Sequence, residues 1–307
     1  MVKKMLTVFL IAAFCMTLLP QPVSAARLEQ TPMERIAVAE QILYGAEQEG
    51  SLIERTNKLE KELFGLPGRE ALMAKVDRIY TYVRDSSGST TSLVFKMGAL
   101  EWSLTQSVTK GPVKTRLESL ERTVAGVLGA GSIDARISRL MTITFADSAL
   151  RTGTLTLPQD TLIKIRLTTA LSSKTNKSGD PVEFEVAEDV YASGMLALPR
   201  GAAGRGKLNK VEQARNFGRD AKMEVIFQSV EALDRTVVPT VLGERAKKET
   251  ESTATAAGAG FAGMILLGPI GVVGAAFVHG KNIVIPAGTM LFIQTQSDAT
   301  IIGLYGK

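Results

Sequence analysis

Between Pro32 and Asp147 the apolar positions repeat in units of about 20 residues, starting at Pro32, Leu52, Leu72, Leu93, Val113 and Ile133. Four residues on stand Ile36, Thr56, Val76, Met97, Leu117 and Ile137. Seven on stand Ala39, Leu59, Ile79, Leu100, Leu120 and Leu140, and eleven on Leu43, Leu63, Val83, Leu104, Val124 and Thr144. Offsets of zero, four, seven and eleven lie on one face of an α-helix. Each unit therefore predicts a helix of about 12 to 14 residues, near 20 Å long. Gly45, Gly65 and Gly126 suit the left-handed residue after a helix end, and Ser51 with Glu54 offers a capping box. Every unit carries a base three residues in (Arg35, Arg55, Lys75, Lys96, Arg116, Arg136), and four carry a glutamate eight in (Glu40, Glu60, Glu101, Glu121). Helices this short are marginal alone, so the six are expected to stack antiparallel as a bundle or short solenoid, the bases flanking the stripe. The offsets resemble heptad positions, but turns interrupt every unit and exclude one continuous coiled coil. The repeat reads either as a packing device or as an arm for self-association or partner binding.

After Leu155 the period changes to two. Thr161–Leu167, Pro181–Val186 and Lys222–Phe227 alternate apolar with polar residues, as half-buried strands do, and 236–241 and 289–295 predict further strands. A turn signature precedes strands three times, in Leu157-Pro158-Gln159-Asp160-Thr161, Leu198-Pro199-Arg200-Gly201-Ala202 and Ile285-Pro286-Ala287-Gly288-Thr289. The expected fold class is α+β and multidomain. Residues 26–150 form six helical repeats, and 151–307 form an all-β barrel or sandwich.

Residues 252–279 interrupt that β pattern. No charge occurs from Ser252 to Val278, and Gly258, Gly260, Gly263, Gly268, Gly271 and Gly274 punctuate Ala, Val, Ile, Leu and Phe. One straight helix of that length would reach about 40 Å, enough to cross a bilayer, but Gly268-Pro269 argues against a straight helix. The expectation is an inserted hairpin of two apolar helices, with small residues four apart, as at Gly271 and Ala275, allowing close contact. It would mediate membrane contact, or pack on the β-domain or on a sister copy. These six glycines and Pro269 are the candidate membrane or assembly residues.

Composition narrows the chemistry. The 307 residues hold one Cys, one His and one Trp, too few for a Cys/His zinc site, and any Ser-His-Asp triad would have to use His279. Residues 1–25 have the three parts of a secretory signal: Lys3 and Lys4, the apolar Leu6 to Leu19, and Val23-Ser24-Ala25 before the cut. Cys15 would leave with that segment, so the mature chain would be exported without disulfides. Lysine and arginine then number 34 against 31 carboxylates, from 36 against 31 in the whole chain. That excess does not argue for nucleic acid. Bases do cluster between Arg200 and Lys222, where Arg205, Lys207 and Lys210 are the candidate anion-binding residues on an expected solvated loop. Glu183 and Glu185 share the outward face of a strand, which is ordinary strand composition more than a hydrolase pair. Ser172-Ser173 is turn composition, and no cofactor, metal site or catalytic residue is expected.

The turn-strand motifs Leu157 to Thr161, Ala170 to Lys174, Lys177 to Pro181, Glu188-Asp189-Val190 and Leu198 to Gly201 resemble the β-barrel domain of TrbI-type scaffold proteins of conjugation and type IV secretion channels. In that family an apolar helical hairpin between barrel strands reaches the outer membrane and the subunits form a ring. The uncharged run stands in a comparable place. The chain departs from the family in its cleavable signal, where an inner-membrane anchor and a Pro-rich linker are usual, and in its helical repeats. The resemblance therefore implies architecture only. The expected function is a non-enzymatic, exported cell-envelope protein, homo-oligomeric, with an assembly role through the hairpin. The alternatives are a soluble periplasmic or cell-wall module binding anionic polymers and, third, a carbohydrate-active hydrolase.

Overall fold

A computed structural model describes residues 30–86, 90–145, 149–214, 221–256, 275–278 and 282–306. The expected secretory segment, the six glycines and Pro269 of the uncharged run, and His279 lie outside these residues.

Six helices begin where the repeat places them: α1 Pro32–Tyr44, α2 Leu52–Phe64, α3 Leu72–Arg84, α4 Leu93–Thr105, α5 Val113–Ala125 and α6 Ile133–Thr144. Local chemistry sets their ends. Thr31 with Glu34 and Ser51 with Glu54 form reciprocal capping boxes, and the Ser92 and Ser132 hydroxyls accept from Phe95 N–H and Ala135 N–H. Gly45, Gly65 and Gly126 close three helices in the left-handed conformation, at φ 81°, 90° and 74°. The repeated apolar positions form one shared core, in which Ile36, Leu43, Leu63, Ile79, Val83, Leu100 and Leu117 are fully buried. A solenoid unit touches only its neighbours in sequence. Here α1 also packs on α3 and α5, and α6 on α2 and α4, so the array is a compact bundle.

The second half contains a closed barrel. Strands β2 (Leu162–Leu167), β4 (Pro181–Val186), β7 (Ala203–Glu212), β8 (Ala221–Glu231), β9 (Val237–Val241) and β12 (Met290–Thr295) pair antiparallel in the order β8-β7-β4-β2-β12-β9, and β9 returns to β8 at Val230↔Val238. The inward alternate residues form its core, with Phe184 and Phe227 edge to face at 5.3 Å. Beside it lies a four-stranded sheet of β1 (Thr152–Leu157), β13 (Ala299–Tyr305), β6 (Met195–Leu198) and β5 (Val190–Ala192). Each Pro signature is a turn with its third residue left-handed: Asp160 at φ 60°, Gly201 and Gly288 at φ 86°. The N–H donors of Thr161, Ala202 and Thr289 close these turns onto the carbonyls of Pro158, Pro199 and Pro286.

Two expectations change. The basic stretch after Arg200 is not a loop: Ala203–Glu212 and Ala221–Glu231 are the two strands of the longest hairpin, because Gly204, Gly206 and Leu208 supply the alternating inward positions. The margins of the expected apolar hairpin also differ. Ser252 to Ala256 complete helix α7 (Glu244–Ala256), whose first half is highly charged, and Ala275–Val278 form strand β10, not helix, paired with β8 at Ala221 to Glu224. The edge of β8 beyond β9 offers unpaired backbone groups there, and a strand satisfies them.

The β7–β8 hairpin gives the barrel two poles about 30 Å apart at roughly 3.3 Å per residue. Its tip, at Glu212↔Lys222, adjoins β10. Helix α7 points towards that end. It runs along β12 from Ala246, whose N–H bonds Gln294 Oε1 at 3.2 Å, to Thr250, whose hydroxyl accepts from Phe292 N–H at 2.9 Å. Helix α7 thus heads towards the tip, and β10 lies against the tip half of β8, while the base of the hairpin, at Gly201 and Leu233, meets the helical array.

Candidate functional site

The repeat contains a staple that makes this meeting rigid. Each glutamate eight residues into a unit pairs with the base three residues into the next: Glu40 with Arg55 (2.7 Å), Glu60 with Lys75 (2.9 Å), Glu101 with Arg116 (2.6 Å) and Glu121 with Arg136 (2.6 Å). In all four the same carboxylate accepts the backbone N–H eight residues on, from Gln48, Gly68, Thr109 and Gly129. One side chain thereby ties its helix, the following turn and the next helix. All four glutamates are buried, so the pairs are charge-assisted and shielded. The ladder breaks once, where Tyr80 occupies the glutamate position of the single longer unit.

These ties have a pH signature. The Arg136 guanidinium holds the Glu121 carboxyl below its ordinary value of 4.5 despite burial. Burial opposes ionisation of Glu60, but Lys75, Arg78 and Gly68 N–H outweigh it and lower its pKa too. A carboxyl depressed in the folded state stabilises above its unfolded pKa, and that stability is lost as pH falls through the folded value. The urea midpoint of the array should hold near neutrality and drop once pH falls below about 4.5. An unchanged midpoint from pH 6 to 3 would rule out the ladder as a contributor.

Glu101 carries the staple to the barrel. Its hold on Thr109 and Arg116 positions the α4–α5 turn, where Val108 N–H donates to Arg200 carbonyl at 2.8 Å. Helix α4 is apolar on two faces. Leu93, Met97 and Leu100 join the bundle, while Phe95, Ala99 and Trp102 form a separate cluster with Leu196, Leu233, Ile302 and Leu304. The Trp102 indole N–H donates to Asp189 Oδ2 at 2.8 Å, and Asp189 Oδ1 accepts Arg200 N–H at 2.7 Å. Close approach needs two glycines. A β-carbon on Gly98 would come within 2.6 Å of Leu233 Cδ2, and one on Gly201 within 2.0 Å of the Val108 carbonyl oxygen.

Beside this seam the turn and the barrel enclose a cleft of about 250 Å³, lined by Lys110, Arg116, Gly201, Arg205, Glu231 and Arg235 among others. Arg235 pairs with Glu231, its backbone is left-handed at φ 67°, and its Nε is buried without an acceptor. Burial lowers the Arg235 pKa; Glu231 opposes this, and Arg84, Arg116 and Arg205 add to it.

Of the candidate anion-binding residues, only Arg205 lines this cleft. Lys207 is exposed further along β7, and Lys210 pairs with Glu212 at 2.9 Å. Glu183 lies opposite Arg205 in the sheet and reaches Lys110 at 3.6 Å, while Glu185 pairs with Arg166 across the barrel wall. Ser173 is buried, its hydroxyl accepting Ile283 N–H. Among the described residues, no group of three His, Cys, Asp or Glu side chains is placed to hold a metal, and no helix is long and apolar enough to cross a membrane. The junction is visible in one signal that the repeat obscures: the α4 segment from Leu93 to Trp102 is apolar on both faces, as a helix buried all round must be.

No family model and no curated protein matches the chain. Among solved structures, the chain is similar to ComB10 of the Com type IV secretion system of Helicobacter pylori, at 16% identity over 47% of this chain and 88% of that one, with a TM-score of 0.26.

Proposed function

We propose that this protein is a non-enzymatic assembly component of a bacterial cell envelope, exported by its first 25 residues, which joins a membrane contact at one pole of its barrel to a helical module at the other. The observation that carries this reading is the placement of the two attachments. The array is seated at the base of the β7–β8 hairpin through Trp102, Val108 and Gly201. The uncharged run is rooted on α7 and β10 towards the opposite end. An uncharged apolar stretch of that length belongs against lipid or protein. Its distance from the array lets one end be held while the other engages a partner. Self-association into a homo-oligomer extends the same reading, since sister copies would bring their uncharged runs together.

Light scattering in mild detergent tests it. The chain from Ala26 should exceed its monomer mass, and replacement of 257–274 by an equally long Gly-Ser linker should return it to the monomer. The Trp102 emission should stay unchanged in both. A monomer in both forms would remove self-association from the function, and an unfolded linker variant would show the run to be part of the barrel core.

A further inference from the structure

We propose that the cleft at the helix–barrel seam binds an oxyanion, a phosphate or carboxylate group of a larger acidic ligand, gripped by Arg205 of β7 and Lys110 of the α4–α5 turn. Three observations converge. The first is the charge balance. Lys110, Arg116 of α5, Arg205 and Arg235 of the β8–β9 turn line the cleft, and the carboxylates paired with them are Glu183, Glu101 and Glu231. Each carboxylate is already engaged, by Lys110, Arg116 and Arg235 in turn. Among the described residues Arg205 forms no ion pair, so one of the four positive charges lining the cleft has no carboxylate of its own. Like charges gathered at a low-dielectric wall repel, and a bound anion removes that repulsion.

The second observation is the architecture of the Arg235 turn. A non-glycine residue held at φ 67° is strained, and here that backbone places a guanidinium beside other cations with its Nε lacking an acceptor. Backbone strain of this kind gathers at ligand clamps and switch regions. The third is size. A volume of about 250 Å³ lies below the roughly 300–1,000 Å³ of small-molecule pockets, which suits one charged group of a longer molecule more than an enclosed cofactor. The donors come from both halves of the chain, so the anion would bridge array and barrel and stabilise their docking by linkage.

The test is titration of the protein with sodium phosphate and with sodium acetate, with sodium chloride at matched ionic strength as control. The readouts are the unfolding midpoint and the emission of Trp102, the one tryptophan, at the seam. A saturable rise with phosphate or acetate and not with chloride is expected, and the salt that saturates at lower concentration names the charged group. Arg205→Gln and Lys110→Gln, both at exposed positions, should each raise the half-saturating concentration at least about tenfold. Equal rises with chloride, no saturation with either oxyanion, or unchanged half-saturation in both variants would overturn the proposal.

Discussion

Replacing Glu121 with alanine will destabilise the helical array by about 3–5 kcal/mol, the cost of leaving a buried cation without its partner. Arg136 is 10% exposed at its side chain and Glu121 5%, so water does not replace what is lost. The Gly129 N–H would also lose its acceptor. The double replacement Glu121→Met with Arg136→Met should behave differently. Well-packed apolar pairs of similar volume are neutral to stabilising in place of a buried ion pair, so the double variant should unfold within about 1 kcal/mol of the parent or later. Urea melts of the parent, both single variants and the double variant give the coupling directly. A loss in Glu121→Ala below about 1 kcal/mol would mean the pair is a surface decoration.

The second large effect is expected at Gly201. Alanine there meets two obstacles, a left-handed backbone and a carbonyl oxygen 2.0 Å from the new methyl group. Gly194 separates them, since it is also left-handed, at φ 75°, but nothing lies within 4 Å of the point where a β-carbon would stand. Gly194→Ala should therefore cost only the backbone strain, about 1–2 kcal/mol. Gly201→Ala must also push away the α4–α5 turn, because the obstructing atom is backbone and has no rotamer to change. Loosening that seam exposes Phe95 and Trp102, each worth roughly 1.5–3 kcal/mol when buried. A total loss of about 3–5 kcal/mol is expected, with a red shift of Trp102 emission that Gly194→Ala does not produce. Identical behaviour of the two variants would show that the close contact carries no energy.

Much of the architecture is legible in the sequence because it is written in local rules. All six helices start at the repeated apolar or proline position, and Gly45, Gly65, Gly126 and the Ser51–Glu54 box end or begin them as expected. The strands Leu162–Leu167 and Pro181–Val186 follow from alternation alone. What alternation does not convey is how sheets close. Barrel and sandwich share the period of two, and only the β8–β9 pairing decides between them. The ion-pair ladder is present in the sequence as two separate columns, bases and glutamates, whose spacing of 15 residues becomes a contact only once consecutive helices pack. The cleft is the least legible feature. Along the chain Arg205 groups with Lys207 and Lys210, its neighbours on the strand, whereas the fold gathers it with Lys110 and Arg235 from remote segments. The hairpin margins escape a sequence reading for a related reason: Ala275-Ala276-Phe277-Val278 has no intrinsic commitment, and the open edge of β8 makes it a strand.

The most direct test of the two-pole arrangement uses the single cysteine at position 15, because a chain beginning at Ala26 has none and can be labelled at will. An environment-sensitive fluorophore is attached at Gly263→Cys in the uncharged run, or at Thr123→Cys on the exposed face of α5, and vesicles of anionic phospholipid are added. A membrane contact at the pole away from the array requires a blue shift at position 263 and none at 123. No shift at 263, or equal shifts at both positions, would contradict it.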